Sequence, residues 1–303
     1  SNMRKRKNRI SLSHGDKVFV FIIYAIAALL LLSIAYPLIY VLSASLSDPM
    51  DVISGNVLLL PKNISLKAYS EVFKSNDIMI GYRNTIFYTL VGTFINLVMT
   101  TMAAYPLSRP DMAGKNLLTM LITFTMFFSG GMIPTYLTIK NMNLLNTFWV
   151  MVLPGAISVT NLLIMRNYFQ HSVSTEIIEA AYVDGANNIG ILMRVVIPIS
   201  RSIFGVMLIY YFVAHWNSYF NALLYLNDRS RYPLQVFLRQ ILLQNSLGDM
   251  SGGSGGDSQA EMALLSETLK YSIIVVASVP ALVIYPFIQK AFEKGVMIGS
   301  VKG

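Results

Sequence analysis

Residues 172–200 read S-V-S-T-E-I-I-E-A-A-Y-V-D-G-A-N-N-I-G-I-L-M-R-V-V-I-P-I-S. With Glu176, Glu179, Asp184 and Arg194 inside it, the stretch is too polar to cross a bilayer. Its opening predicts a helix, with Ser172 or Ser174 as N-cap and Glu176 in the first turn. Ile177, Ala180, Ala181 and Asp184 recur at helical spacing, which predicts a face of small residues open to close approach. Gly185 supplies a residue that turns without a Cβ penalty. A second amphipathic stretch runs from about Ile189 to Ile197, and Pro198 is expected to end it. The expectation is two short helices at an angle, forming a polar knob.

On both sides of this knob the chain is apolar. It is 54% hydrophobic and only 13% charged over 303 residues, against about 25% charged for an ordinary soluble domain. Six windows contain no Asp, Glu, Lys or Arg: about Val18 to Ser45, Asn84 to Ser108, Asn116 to Ile139, Leu144 to Met165, Ser202 to Asn227 and Tyr271 to Gln289. A charge at mid-bilayer costs roughly 2.5–3.5 kcal/mol on insertion scales, so this partition predicts an all-α, polytopic membrane protein with six transmembrane helices. The Ser1-Asn2 pair ahead of Met3 is set aside as a tag remnant. The basic run after it leads into an apolar stretch too long for a signal peptide, read as a retained first span.

The expected organisation is a basic tail at 1–17, a first helix at 18–45, an external loop at 46–83, a five-helix core at 84–289 containing the 172–200 segment, and a tail at 290–303. Fourteen of the 23 Lys and Arg residues fall in the two tails and in the connections after the second and fourth spans. The positive-inside rule therefore places both termini in the cytoplasm. The net charge of +8 does not signal nucleic acid, because the cations sit at the ends of apolar runs instead of forming one patch. Pro37, Pro106, Pro134, Pro154, Pro280 and Pro286 lie inside spans and predict kinks.

Chemistry is sparse. There is no cysteine, and His14, His171 and His215 have no metal-ligand spacing. No catalytic residue and no metal site is expected, and the windows hold no carboxylate of the kind an ion-coupled secondary transporter would use. No G-x-x-x-x-G-K-[ST] is present; Gly114-Lys115 lacks both the upstream glycine and the hydroxyl. Within the spans, Asn96, Tyr211, Trp216, Asn217 and Tyr219 are candidate pathway residues, since amides and aromatic faces suit a sugar. The bland alternative has the amides bonding neighbouring helices and the aromatics in an interfacial belt. Tyr210 and Asn221 carry the same ambiguity. His215 reads as a packed residue, not a proton relay. The Gly/Ser-rich 248–257 stretch reads as a linker.

Glu179-Ala180-Ala181, Asp184-Gly185-Ala186 and, further on, Ile197-Pro198 together resemble the EAA loop of ABC-importer permeases. Leu192 and Met193 stand where family members often carry an aromatic pair. The resemblance continues through Pro61 to Phe73, Arg83-Asn84-Thr85, Ala104 to Arg109, Ile133 to Tyr136, Trp216 to Tyr219, Tyr232 to Gln235 and Lys294 to Gly303. It is closest to carbohydrate permeases for complex oligosaccharides such as pectin fragments. The resemblance implies a type I ABC importer permease fold and ATPase docking through Glu179, Ala180, Ala181, Asp184 and Gly185. It also implies a second homologous permease, two ATPase subunits that bind ATP and Mg, an extracellular solute-binding protein and an oligosaccharide substrate in a bacterial cell membrane. A polyol compound such as glycerol phosphate is the alternative cargo.

Overall fold

The computed structural model describes residues 13–248, 265–284 and 286. The tails and the 248–257 linker therefore lie almost wholly outside the described residues. All regular structure among the described residues is helical. The described chain falls into two units, residues 13–70 with 265–275 and residues 71–248 with 276–284.

In the first unit, α1 (His14–Ser45) spans 32 residues, about 48 Å of helix. Only Ser43, Ala44 and Ser45 at its end are buried; an apolar helix bare all round is one built for an apolar surrounding. Its serine-rich end supplies the polar anchors. Ser43 Oγ donates to Leu59 O at 2.7 Å, Ser45 Oγ shares a 2.8 Å hydrogen bond with Tyr69 OH, and Ser272 Oγ donates to Ser45 O at 3.3 Å. Asp48 caps α2 (Pro49–Ile53), accepting from Met50 N at 3.0 Å.

The second unit is organised on α4 (Asn76–Ser108), which follows α3 (Lys67–Lys74). The helix starts at Asn76, eight residues before the charge-free window, with Asp77 and Arg83 in its N-terminal turns. Its buried positions, among them Gly81, Thr85, Thr89, Gly92, Thr93, Asn96 and Thr100, form a stripe of small and hydroxyl residues. Such a stripe lets helix backbones approach closely. At Gly92 a Cβ would lie 2.5 Å from the His215 ring, and at Gly81 it would lie 2.9 Å from Leu234 Cα. Gly92→Ala is therefore expected to cost about 1–3 kcal/mol by overpacking, read as a lower midpoint of thermal unfolding in detergent. Adding His215→Ala should recover part of that loss. An unchanged midpoint in the single variant would contradict the close approach.

Two expected spans are broken. Window 116–139 divides into α5 (Lys115–Phe127) and α6 (Met132–Asn141), bent by 112°. Gly131 at the break has φ 88°, a left-handed conformation that costs glycine little. Window 144–165 is not one helix. Asn143 and Asn146 take positive φ (54° and 53°), a short 3₁₀ turn follows at Phe148–Met151, and helix resumes only at α7 (Val159–Ser172). Pro154 lacks an N–H, and Asn146 Oδ1 accepts from Asn227 N and Asp228 N, both at 3.1 Å. Asn146 N donates to Tyr225 O at 2.9 Å and Asn146 O accepts from Arg231 Nη1, so the freed backbone groups of this residue are met inside the protein, as irregular backbone at membrane depth requires. Among the described residues, α1, α4 and α14 (Leu265–Ile284) can each cross a membrane alone, and two bent pairs raise the number to at most five. Charge-free windows thus mark apolar segments whose helices are in places broken.

The 226–234 connection is stapled to the N-terminal part of α4. Arg229 donates to both Asp77 oxygens at 3.0 and 2.5 Å, Asn84 Nδ2 donates to Ser230 O and Tyr232 O at 2.8 and 3.0 Å, and Leu234 N donates to Thr85 Oγ1 at 2.8 Å. These bonds fix the start of α13 (Leu234–Gly248).

Candidate functional site

The polar segment forms the expected elbow. Ser174 precedes α8 (Thr175–Val183), and Ser172 is the last residue of α7 instead of a cap. The Glu176 carboxyl is held below its ordinary pKa by its own backbone N–H and by the Ser174 hydroxyl. Gly185, at φ 79°, closes the helix: its N–H donates to Tyr182 O and Ala186 N donates to Ala181 O, both at 2.9 Å. These bonds satisfy the last carbonyls of the helix. Asn187 then caps α9 (Asn188–Ile191), accepting from Gly190 N at 2.7 Å.

Pro198 does not end the second stretch. A π-helical turn at Leu192–Val196 leads into α10 (Ile197–Ile199), and the chain bends by 84° into α11 (Arg201–Trp216). A proline is tolerated there because it occupies the first turn of the new segment, where its missing N–H would have no partner. The π turn also explains the burial. Ile191 and Val196 are both 0% exposed, yet five residues of ordinary α-helix would set them about 140° apart. The wider turn brings them to one side.

Ile178, Ile191 and Val196 root the elbow in a core with Ala104, Tyr105 and Phe169. The inward side of α8 is thus Ile178 and, in part, Ala181, while Ile177, Ala180 and Asp184 of the expected small-residue face are exposed. Glu179, Ala180, Asp184 and Gly185 are exposed. Among the described residues no hydrogen bond or ion pair engages the Glu179 or Asp184 carboxylate. Around them Ile177, Val183, Ile189 and Met193 expose apolar surface, Val183 to 88%.

Arg109 holds the elbow to α4. It is 8% exposed and donates through Nε and Nη2 to the two Asp111 oxygens at 2.9 Å each. Nη2 also reaches Tyr182 OH at 3.3 Å, and Tyr182 OH donates in turn to Asn188 Oδ1. The guanidinium carbon lies 5.3 Å from the Tyr182 ring centroid and 6.0 Å from that of Tyr105. The ion pair raises the Arg109 pKa and holds the Asp111 carboxyl below its usual range. One cation thereby touches α8 and the end of α4, and is linked to α9 through the Tyr182 hydroxyl. Sequence reasoning noted Arg109 as a topology-setting cation and within a resemblance; the spacing of 73 residues to Tyr182 carries no local signal. Beside it, a cavity of about 860 Å³ opens between α4 (Leu97, Met102) and the elbow (Ile189, Met193).

The five pathway candidates separate into two groups. Asn96 is 0% exposed, donates from Nδ2 to Gly155 O at 2.6 Å and meets His215 Nε2 through Oδ1 at 2.6 Å. Tyr211 is buried with its hydroxyl 2.6 Å from Thr100 Oγ1, and buried Trp216 donates from Nε1 to Ala277 O at 3.1 Å. Asn217 and Tyr219 are exposed. The structure brings the first three into the packed interior as helix-to-helix bonds and leaves the last two open. Among the described residues no cluster of metal-ligating side chains occurs.

No family model matches the chain. The polygalacturonan/rhamnogalacturonan transport system permease protein YtcP of Bacillus subtilis (strain 168) is 40% identical over 290 residues, covering 95% of this chain and 99% of that protein. Protein LplC of the same organism is 39% identical over 267 residues, covering 88% and 89%. Among solved structures, a bacterial ABC transporter involved in the import of the acidic polysaccharide alginate superposes with a TM-score of 0.83 at 32% identity, over 93% of this chain and 99% of that one. The fold is that of the transmembrane subunit of an ABC importer. The chain belongs to the carbohydrate-transport permeases of that class, and it is a multi-pass membrane protein.

Proposed function

We propose that this chain forms half of the translocation pathway of an ATP-driven, binding-protein-dependent importer of oligosaccharides. A second homologous permease completes the pathway. Two ATPase subunits supply ATP hydrolysis and hold the nucleotide with its magnesium, and an external solute-binding protein delivers the sugar. Both termini lie in the cytoplasm of a bacterial cell, with the first helix and the 46–83 segment set ahead of the 84–289 core. This chain performs no chemistry of its own.

The observation that carries the proposal is the elbow. Glu179 and Asp184 stand exposed and, among the described residues, unpaired, beside the small Ala180 and the left-handed Gly185, ringed by apolar side chains. A charged centre with an apolar rim suits a partner groove that offers a cation. Ile178, Ile191 and Val196 anchor this surface, so a pull on it is transmitted to the bundle. ATP drives the switch by stabilising one conformation over the other. The sugar passes Asn217 and Tyr219, while Asn96, Tyr211 and Trp216 hold the wall behind them. The polygalacturonan/rhamnogalacturonan transport system of YtcP and the alginate import of the superposed transporter favour a saccharide over glycerol phosphate.

Gentle extraction from the native membrane is expected to recover a second permease and an ATPase with this chain. Recovery of a lone chain that still takes up sugar would contradict the proposal.

A further inference from the structure

Beyond Trp216 the helix α11 stops, and the chain breaks over Asn217 and Ser218 before α12 (Phe220–Tyr225). The 16 residues of α11 carry the chain about 24 Å from the elbow, so the break lies at the far end from the docking surface. Side chains from the break and from α13 meet there. The Arg239 guanidinium carbon lies 5.0 Å from the centroid of the Tyr219 ring. Gln235 Nε2 donates to Asn217 Oδ1 at 3.4 Å, and Asn217 Nδ2 donates back to Val213 O at 3.1 Å. Arg239, Tyr219 and Asn217 are all exposed.

The charge arrangement sets Arg239 apart from its neighbours in sequence. Arg229 is paired with Asp77 and Arg231 with Asp228. Among the described residues no carboxylate pairs with Arg239. A guanidinium over a phenol face is attracted to it, and its planar N–H fork matches the two oxygens of a carboxylate. The adjacent amides offer donors and acceptors to hydroxyl groups, and the exposed part of the Tyr219 ring offers an apolar plate. Carboxylate, hydroxyl and apolar ring face are the three surfaces of a uronic acid.

We propose that Arg239, with Tyr219, Asn217 and Gln235, is a subsite for the carboxylate of an acidic sugar residue at the mouth of the pathway. This rests on the oligosaccharide-importer reading and narrows its substrate to uronate-containing chains. Two proteins similar to this one are described by polygalacturonan and by the acidic polysaccharide alginate, in accord with that narrowing. Arg239 selects, and Tyr219 supports the ring of whichever sugar arrives.

The test uses the complete transporter in membrane vesicles with its binding protein and ATP. Uptake of trigalacturonate is compared with uptake of the same trisaccharide methyl-esterified at every carboxyl. Arg239→Gln is expected to lower the ratio of acid to ester uptake roughly tenfold. Arg239→Lys keeps the charge without the fork and is expected to lower that ratio about threefold. Tyr219→Leu should reduce both substrates and leave the ratio near that of the unaltered transporter. Equal loss of acid and ester in both Arg239 variants would assign Arg239 to binding-protein docking or to packing, and would overturn the subsite. An unchanged ratio would overturn it as well. Should the glutamine variant fail to assemble, the lysine variant supplies the same ratio. Failure of the unaltered transporter to take up either trisaccharide would instead remove the pectin-type substrate itself, before any variant is compared.

Discussion

Replacing Glu179 by lysine is expected to detach the ATPase and to lower uptake at least roughly 30-fold, with the chain still inserted in the membrane. The carboxylate is exposed and has no partner among the described residues, so the fold spends nothing on it. Reversing its charge leaves the bundle intact and places like charges at the proposed contact. Breaking a charge pair buried by a partner costs about 2–5 kcal/mol, or roughly 30-fold to several thousandfold in affinity. The measurement is the amount of ATPase recovered with the permease from detergent, alongside uptake in vesicles. Normal uptake by a well-inserted Glu179→Lys protein would remove the docking role. Val183→Asp, at the most exposed apolar position of the rim, should weaken recovery in the same assay.

The second large effect is expected at Arg109. Arg109→Ala removes a bidentate ion pair, a bond to Tyr182 and two aromatic contacts. The elbow keeps its exposed face, so the ATPase should still attach, but its displacement is no longer handed to α4. ATP consumed per sugar transported is expected to rise about tenfold. Tyr182→Phe, which removes one hydroxyl and its two hydrogen bonds, should raise it about fivefold, in line with roughly 0.5 kcal/mol for each bond. A merely structural Arg109 would lower assembly and uptake together and leave that ratio fixed. The pH dependence has a defined sign. The Asp111 pKa is depressed in the folded protein, so its contribution is complete above the ordinary carboxylate range and is lost only as pH falls through the lowered value. The ratio should therefore stay flat from about pH 6 to 8.

Much of this architecture was legible in the sequence. Charge-free windows located α1 and α4, because burying a charge in lipid is costly enough to leave a clean trace. The elbow was legible at Ser174, Glu176 and Gly185, where local backbone chemistry decides the shape. The interruptions were not. Hydropathy reports that residues 144–165 avoid water, but not whether their backbone continues as helix. That depends on Asn146 meeting the peptides of residues 227 and 228, a partnership made 81 and 82 residues away. Asn96, Tyr211 and Trp216 read as pathway residues for a similar reason. A polar group in a span must face something, and the sequence does not reveal whether that is a neighbouring helix or a wet cavity.

The five-residue turn at Leu192–Val196 has one more consequence. It holds one residue beyond what an ordinary helical turn needs. Expelling that residue would screw the following segment round by about 100° while advancing it hardly at all. A pull on the proposed docking face would thus reach α11 as torsion, like a key wound by a fixed click. It would do so at Ile191 and Val196, the two side chains that ordinary pitch would swing apart.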